Sequence, residues 1–334
     1  MVVEYTKECY CSETGGFAPA VGYAPNVTST LSGIQIVYLV NNINSSILKY
    51  INIKKIREYL INSNIHNIHN TNIYNTNIYN NTLYYCNDLF GDIDTRIDCC
   101  IIVGLYILNK IENTNILNNI CNNNILNNNF INHLLNCYNF DGGFGQVESG
   151  ESHVAQTFCC LVCLCILGKL DKINIEETLI YLREKQYILN NTNNTVYNTN
   201  NILSNTDNIL NKNNYGGIKG RVNKKVDVCY SYWAYASYMI IKNNSNIYNS
   251  NIYNDNSNLY NDNNIYNDNN LYNVYDTDNL IEFIMKCQHP NGGFSDRPGN
   301  MPDIYHQMFA LASLSMLGMD GLNKVDYITS MVEI

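Results

Sequence analysis

The chain has no basic surplus. Lys and Arg number 20 against 29 Asp and Glu, giving a formal net charge of −9, and no Lys/Arg-dense face stands out to neutralise phosphates over a long footprint. A nucleic-acid partner is therefore not expected. Long apolar runs are lacking too. The longest, Phe158 to Leu167, falls well short of the roughly 20 residues that span a bilayer, so no transmembrane segment is predicted. Met1 to Tyr10 carries no basic stretch followed by an apolar run and does not read as a secretory signal. Strand-like alternation is sparse. With 46% hydrophobic residues the chain can still bury a sizeable core, and a soluble, cytoplasmic globular protein is expected.

What the chain has in excess is asparagine. It clusters in tracts, about 64–86, 112–129, 190–214 and 243–276, which carry too little apolar surface to offset the entropy of ordering and are predicted to be mobile insertions. The thirteen cysteines follow helical faces rather than spaced loop positions, which fits a reducing compartment. Cys159, Cys160, Cys163 and Cys165 share one apolar segment and read as small core residues.

Four Gly-Gly pairs, each followed by an apolar residue, punctuate the chain at 15–16, 142–143, 216–217 and 292–293. The last three are 74 and 76 residues apart, and removing the asparagine-rich tract from each interval leaves a unit of roughly 50 residues, the size of a turn plus two helices. After each pair comes an apolar helical segment: Thr30–Val40, His153–Leu167, Asp227–Ile241 and Asp303–Leu317. A second helix precedes the next pair, as at Ile175–Gln186 and Asn279–Gln288. Asp92–Leu108 reads as a further first helix whose own glycine pair is missing. The prediction is a single all-α domain over 1–334, built of helical hairpins stacked side by side. The glycines serve as turns needing positive φ. If every hairpin enters its first helix from the same side, the first-helix N-termini share one rim, a natural setting for a diphosphate.

Three residues at those helix starts carry donor atoms: Asp227, Cys229 and His306. Together they offer O, S and N ligands, and three protein ligands with a fourth position open is the arrangement expected of a catalytic zinc. Each also has a plain structural explanation, as an N-cap, a buried thiol and a helix-start hydrogen bonder. Arg221, Lys224 and Lys225 precede Asp227, and His153 begins an equivalent helix. A solvated charge run explains the first three, but Arg221, Lys224, His153 and the Tyr230 hydroxyl on one rim can also bind a diphosphate and stabilise it as it leaves. Tyr230, Tyr232 and Trp233, the only tryptophan, are able to wall an apolar cavity or to serve as plain core.

The segments Asp-Val-Cys-Tyr-Ser-Tyr-Trp (227–233), Phe-Asp-Gly-Gly-Phe-Gly (140–145) with Glu-Ser-His (151–153), and Gly-Gly-Phe-Ser-Asp-Arg-Pro-Gly-Asn-Met-Pro-Asp-Ile-Tyr-His (292–306) resemble the β subunits of protein prenyltransferases. The resemblance covers about Glu8 to Gly318 apart from the asparagine-rich inserts. It implies an α/α barrel, or toroid, with a funnel-shaped isoprenoid cavity and one Zn2+ at the rim held by Asp227, Cys229 and His306. It further implies that His153, Arg221, Lys224 and Tyr230 contact the diphosphate and act in catalysis. Arg96, Val154, Ala155, Ser231, Tyr232 and Trp233 would complete the donor site. Val154-Ala155 departs from the family, which has smaller residues there. Met1 falls where the family already has earlier helices, which implies an incomplete first hairpin.

An α-type partner subunit is also implied. The 292–301 segment, Gln156 and the short stretch after the last repeat are closest to the type II branch. That branch transfers geranylgeranyl from geranylgeranyl diphosphate to C-terminal cysteines of Rab GTPases presented by a Rab escort protein. The alternatives are a farnesyl or type I geranylgeranyl transferase acting on CaaX proteins, or a non-catalytic barrel scaffold. A terpene cyclase is disfavoured because no Asp-x-Asp-Asp motif is present. Deleting most of Asn243 to Asp276, with a short linker kept, is expected to preserve folding, since extending a surface loop costs only about (3/2)RT ln n. Retention of the helical circular dichroism signal checks this.

Overall fold

The computed structural model describes residues 2–43, 45–63, 85–88, 91–114, 128–188, 215–244 and 274–333, and the following concerns those residues. The interiors of the four asparagine-rich tracts lie outside them. Ten α-helices follow one another: α1 (Val2–Cys9), α2 (Val27–Ile43), α3 (Ile53–Asn62), α4 (Thr95–Glu112), α5 (Asn128–Asn136), α6 (Val154–Ile166), α7 (Ile175–Arg183), α8 (Val228–Asn243), α9 (Thr277–Lys286) and α10 (Ile304–Met316). No sheet accompanies them, only isolated β-bridges. None of the described helices is long and apolar enough to cross a membrane.

The even-numbered helices are the inner ones. Each packs on the next, α2 on α4, α4 on α6, α6 on α8 and α8 on α10, while the short odd-numbered helices lie outside them. The result is an all-α toroid of helical hairpins. Composition explains the division. An inner helix meets outer helices on one side and inner neighbours on the others, so it must be apolar nearly all round. In α6 every residue from Val154 to Leu164 is buried. Outer helices such as α9 bury one stripe only, at Leu280, Phe283 and Ile284.

Helix starts fall where capping chemistry puts them. Asp94, His153, Asp227 and Asp303 cap inner helices, and Asn52, Asn174 and Asp276 cap outer ones. Asp92 therefore precedes its helix instead of opening it. The second helix predicted to reach Gln186 stops at Arg183 because Gln186 is used elsewhere. Its side chain donates to the carbonyls of Gly216 and Asp276 and accepts from Asp276 N at 2.8 Å, tying one hairpin to the next.

The glycine pairs have two distinct functions. The first glycine is left-handed at each pair, with φ of 89°, 83°, 85° and 91° at Gly15, Gly142, Gly216 and Gly292. At the first three, a Cβ would also strike a main-chain oxygen of the next outer helix: Lys55 O at 2.3 Å, Glu177 O at 2.3 Å and Asn279 O at 2.0 Å. Each of these oxygens lies three residues beyond its outer-helix cap. The second glycine lets an aromatic ring close in, Tyr59 on Gly16, Tyr181 on Gly143 and Phe283 on Gly217. The hairpin that enters α4 has a single left-handed glycine, Gly91, with open space around it.

Packing continues into the margins of the asparagine-rich tracts. Tyr85, Cys86, Val274 and Tyr275 are buried, and Asp276 caps α9, so the deletion considered above must stop short of Val274. Between α4 and α5, Asp98 and His133 form a buried pair at 3.1 Å. Burial raises the Asp98 carboxyl above its ordinary range, and its bond to His133 works the other way.

The glycine geometry predicts an asymmetry. Gly292→Ala meets open space and should cost only the left-handed backbone penalty, about 1–2 kcal/mol. Gly216→Ala adds a backbone clash and should cost clearly more. Chemical denaturation of the two variants, compared on midpoint and slope, checks the order.

Candidate metal centre and its rim

Two helix starts build the centre. Asp227 lies in extended backbone just before α8, and its Oδ1 accepts from Cys229 N at 2.9 Å. Asp303 does the same for α10, accepting from Tyr305 N and His306 N at 2.9 and 3.0 Å. The start of α8 is tied to the loop that leads into α10 by Val228 N, which donates to Asp296 O at 3.0 Å. Cys229 and His306, in the first turns of adjacent inner helices, are thereby brought to Asp227. One ligand atom from each of the three lies within 4.8 Å of the others, a group able to hold a metal ion. His306 Nε2 is 3.4 Å from Asp227 Oδ1.

The donor set fits a borderline cation such as zinc: one carboxylate oxygen, one sulfur and one imidazole nitrogen. Two further observations bear on the fit. Asp303 Oδ2 sits 2.5 Å from His306 Nδ1, which fixes the ring and directs Nε2 at the cluster, the usual second partner of a ligating histidine. Burial, and then the neighbouring Asp227 carboxylate, push the Cys229 thiol well above its ordinary value. A cation at this point reverses that balance and makes the thiolate the stable form. The capping and ligand explanations of Asp227 are thus compatible, since one side chain can serve both.

Beside the centre lies a cationic and aromatic rim. His153 caps α6, its Nδ1 accepting from Ala155 N at 3.1 Å, so the proton of the neutral ring belongs on Nε2. Burial and then the Arg221 cation lower its pKa, with Glu151 opposing, and the ring is neutral at pH 7. Its edge meets the Tyr230 ring at 5.4 Å between centroids. Gly220 permits this approach. A Cβ there would fall 2.4 Å from Tyr230 Cζ and 2.9 Å from His153 Nε2, while its carbonyl accepts from Val154 N. Each arginine of the rim is held by a carboxylate: Arg96 by Asp94, Arg221 by Glu151 at 2.6 Å and Arg297 by Asp296 at 2.7 Å.

The remaining sequence-derived candidates are placed differently. Lys224 stands exposed in the turn before Val226, as does Lys225. Val154 and Ala155 are buried in the α6 packing, and Ser231 is fully buried with no hydrogen-bond partner for its hydroxyl among the described residues. Tyr232 is buried and points to Ser330, and Trp233 is half-buried between Tyr230 and Phe309. Sequence reasoning assigned no role to Asp303, Gly220, Glu151 or Asp296. Only Asp303 had a usable signal, its spacing of three residues before His306.

This combination of toroid and site defines a class. The whole chain, residues 1–334, matches the family model described as "Prenyltransferase alpha-alpha toroid domain", and the protein belongs to that family. It is similar to the geranylgeranyl transferase type-2 subunit beta of Saccharomyces cerevisiae, with 28% identity over 99% of this chain and 78% of that protein. It is also similar to the protein farnesyltransferase subunit beta of Schizosaccharomyces pombe, with 29% identity over 55% of this chain and 37% of that protein. Among solved structures, Candida albicans protein geranylgeranyltransferase-I complexed with GGPP shares the fold at a TM-score of 0.62 and 23% identity, covering 95% of this chain and 77% of that one.

Asp303→Ala should weaken metal binding about 10–100-fold by releasing the His306 ring. Titration with a spectroscopically visible divalent cation such as cobalt measures it. Asp303→Asn, which keeps an acceptor, should recover part of the loss.

Proposed function

We propose that this chain is the catalytic β-type subunit of a zinc-dependent protein prenyltransferase, joining an isoprenoid to a protein cysteine through a thioether. The observation that carries this reading is the convergence of Asp227, Cys229 and His306 at the same rim as His153, Tyr230 and Arg221. When bound, zinc supplies a Lewis acid at which a substrate thiol loses its proton at neutral pH. The chain's own residues meet the other half of the reaction. As the new S–C bond forms, the C–O bond to diphosphate breaks and its electron pair leaves with the phosphate oxygen. Arg221, the Nε2–H of His153, the Tyr230 hydroxyl and Lys224 provide the charge and donors for that oxygen cluster. Arg221 must exchange Glu151 for the diphosphate, an exchange that costs little because the pair is exposed.

A protein cysteine is the acceptor common to the farnesyl, type I and type II readings. The type II reading, with Rab GTPases and an escort protein, draws its support from a Saccharomyces cerevisiae relative named as a geranylgeranyl transferase type-2 subunit beta, which aligns along nearly the whole chain. CaaX acceptors are the reading that the farnesyltransferase relative supports. An α-type partner subunit belongs to every version.

The test reconstitutes the chain with an α-type subunit and offers C15 and C20 diphosphates, CaaX peptides, and a Rab protein with and without escort. Transfer should occur and should disappear, together with zinc, in Cys229→Ala, while prenyl diphosphate still binds. Arg221→Ala should weaken diphosphate binding about tenfold or more, the weight of a charged hydrogen bond. Tight prenyl diphosphate binding with no transfer to any acceptor would leave the scaffold reading in its place.

A further inference from the structure

Three arginine–carboxylate pairs lie along the rim, and they differ in what else holds the carboxylate. The Asp94 side chain is 8% exposed; besides the Arg96 guanidinium it accepts from Arg96 N, as the α4 cap, and from Gln146 Nε2. That of Asp296 is 19% exposed and also accepts from Asn300 Nδ2 at 2.7 Å. That of Glu151 is 56% exposed, and its bond to Arg221 is the only one it makes among the described residues. Arg221 likewise has no second hydrogen-bond partner there. The first two carboxylates are fixed in the fold, and the third can let go.

The main chain under Glu151 is not loose. Gly150 O accepts from Asn139 Nδ2 at 2.8 Å, Ser152 Oγ donates to Asp141 at 2.6 Å, and His153 N donates to Phe144 O at 3.0 Å. A rigid base thus carries a free side chain, two positions before His153. The ion pair is within electrostatic reach of the other diphosphate donors. After burial, Arg221 lowers the His153 pKa and Glu151 raises it; the Tyr230 hydroxyl, raised mainly by burial, also feels Arg221.

Charge decides what such a pair does in the reaction. The donor enters as a diphosphate ester anchored by its apolar chain. The product leaves as inorganic diphosphate, with one more ionisable oxygen and no chain. The same cations therefore meet a more highly charged anion after C–O cleavage than before it, and the contact that stabilises the departing oxygens also retards their release. A carboxylate 2.6 Å from the guanidinium competes for it throughout.

We infer that Glu151 is a displaceable counter-ion for Arg221, which holds the guanidinium at the rim before the donor binds and takes it back as inorganic diphosphate leaves, so that release is faster. The inference rests on the prenyl-transfer reading and adds to it a positioning residue that acts only through Arg221.

Glu151→Gln keeps the size of the side chain and removes its charge. In the reconstituted heterodimer, affinity for inorganic diphosphate, measured by competition against a prenyl diphosphate, should rise about three- to fivefold, the upper range for an exposed ion pair. The rate at which bound inorganic diphosphate is displaced should fall by a similar factor. KM for the prenyl diphosphate should fall too, while the single-turnover rate of thioether formation holds. Glu151→Asp, which retains the charge, should lie between, and all differences should shrink as salt is raised. Two comparisons separate the pair from net charge. Glu148→Gln removes an exposed carboxylate that no arginine among the described residues holds, and it should leave diphosphate affinity unchanged. In an Arg221→Ala background, Glu151→Gln should have no effect, because the pair is already broken. Unchanged affinity or displacement rate in Glu151→Gln, or an equal gain in Glu148→Gln or in the absence of Arg221, overturns the inference and leaves the prenyl-transfer reading standing. Failure of the unmodified heterodimer to bind either inorganic or prenyl diphosphate overturns both.

Discussion

The geometry of this protein depends on how closely a glycine turn can approach the carbonyl of the next outer helix. At Gly15, Gly142 and Gly216 the main chain comes so near Lys55, Glu177 and Asn279 that a Cβ would fall within 2.3 Å of the carbonyl oxygen. Left-handed backbone and missing side chain are both needed, so glycine is required twice over. The contact fixes the turn against the first turn of the following hairpin, and the aromatic ring one helical turn further on, at Tyr59, Tyr181 or Phe283, locks the second glycine. Repeating the contact gives α2, α6 and α8 one common placement, while the turns into α4 and α10, at Gly91 and Gly292, do without it and those helices are placed by packing on their inner neighbours. Starts on one side of the ring are the condition for a rim.

The rim exploits the same economy of position. A helix start needs a cap, and a capping carboxylate already has its oxygens in the field of the helix dipole. Asp227 and Asp303 are caps first. Because α8 and α10 are adjacent and are joined through Asp296, the caps also converge with Cys229 and His306. One carboxylate is left facing the other donors and the second orients the imidazole. Burial, and then the Asp227 carboxylate, favour the neutral form of the Cys229 thiol when no cation is present. A cation held by all three donors would also stabilise the contact between α8 and α10.

Much of this was legible in the residues. Apolar segments after glycine pairs gave the inner helices to within a few residues, and donor-bearing residues at their starts gave the metal group, because capping and turn chemistry act over three or four positions. Asparagine tracts only concealed the period. What escaped was decided by contacts distant in sequence. Gly220 looks like an ordinary loop glycine until His153, 67 positions earlier, is brought against Tyr230. Tyr232, Ser231 and Trp233 are consecutive and look alike as wall residues, yet the helix turns them to three destinations: the Val325–Val332 hairpin, the helix packing and the rim. The hairpin of Val325–Val332 has too little periodicity to announce itself, and its position follows only from the three helices it touches.

That hairpin ties α2, α4 and α8 to one short segment. It brings main-chain groups into the interior, and Gln35, Lys110 and Tyr232 supply the polar partners those groups need away from water. Val325 and Met331 of the same segment join the apolar core, so it is held by packing as well as by those polar contacts. Asp227, Cys229 and His306 lie at helix starts that none of these contacts reaches, so the rim and the hairpin are held by separate sets of residues.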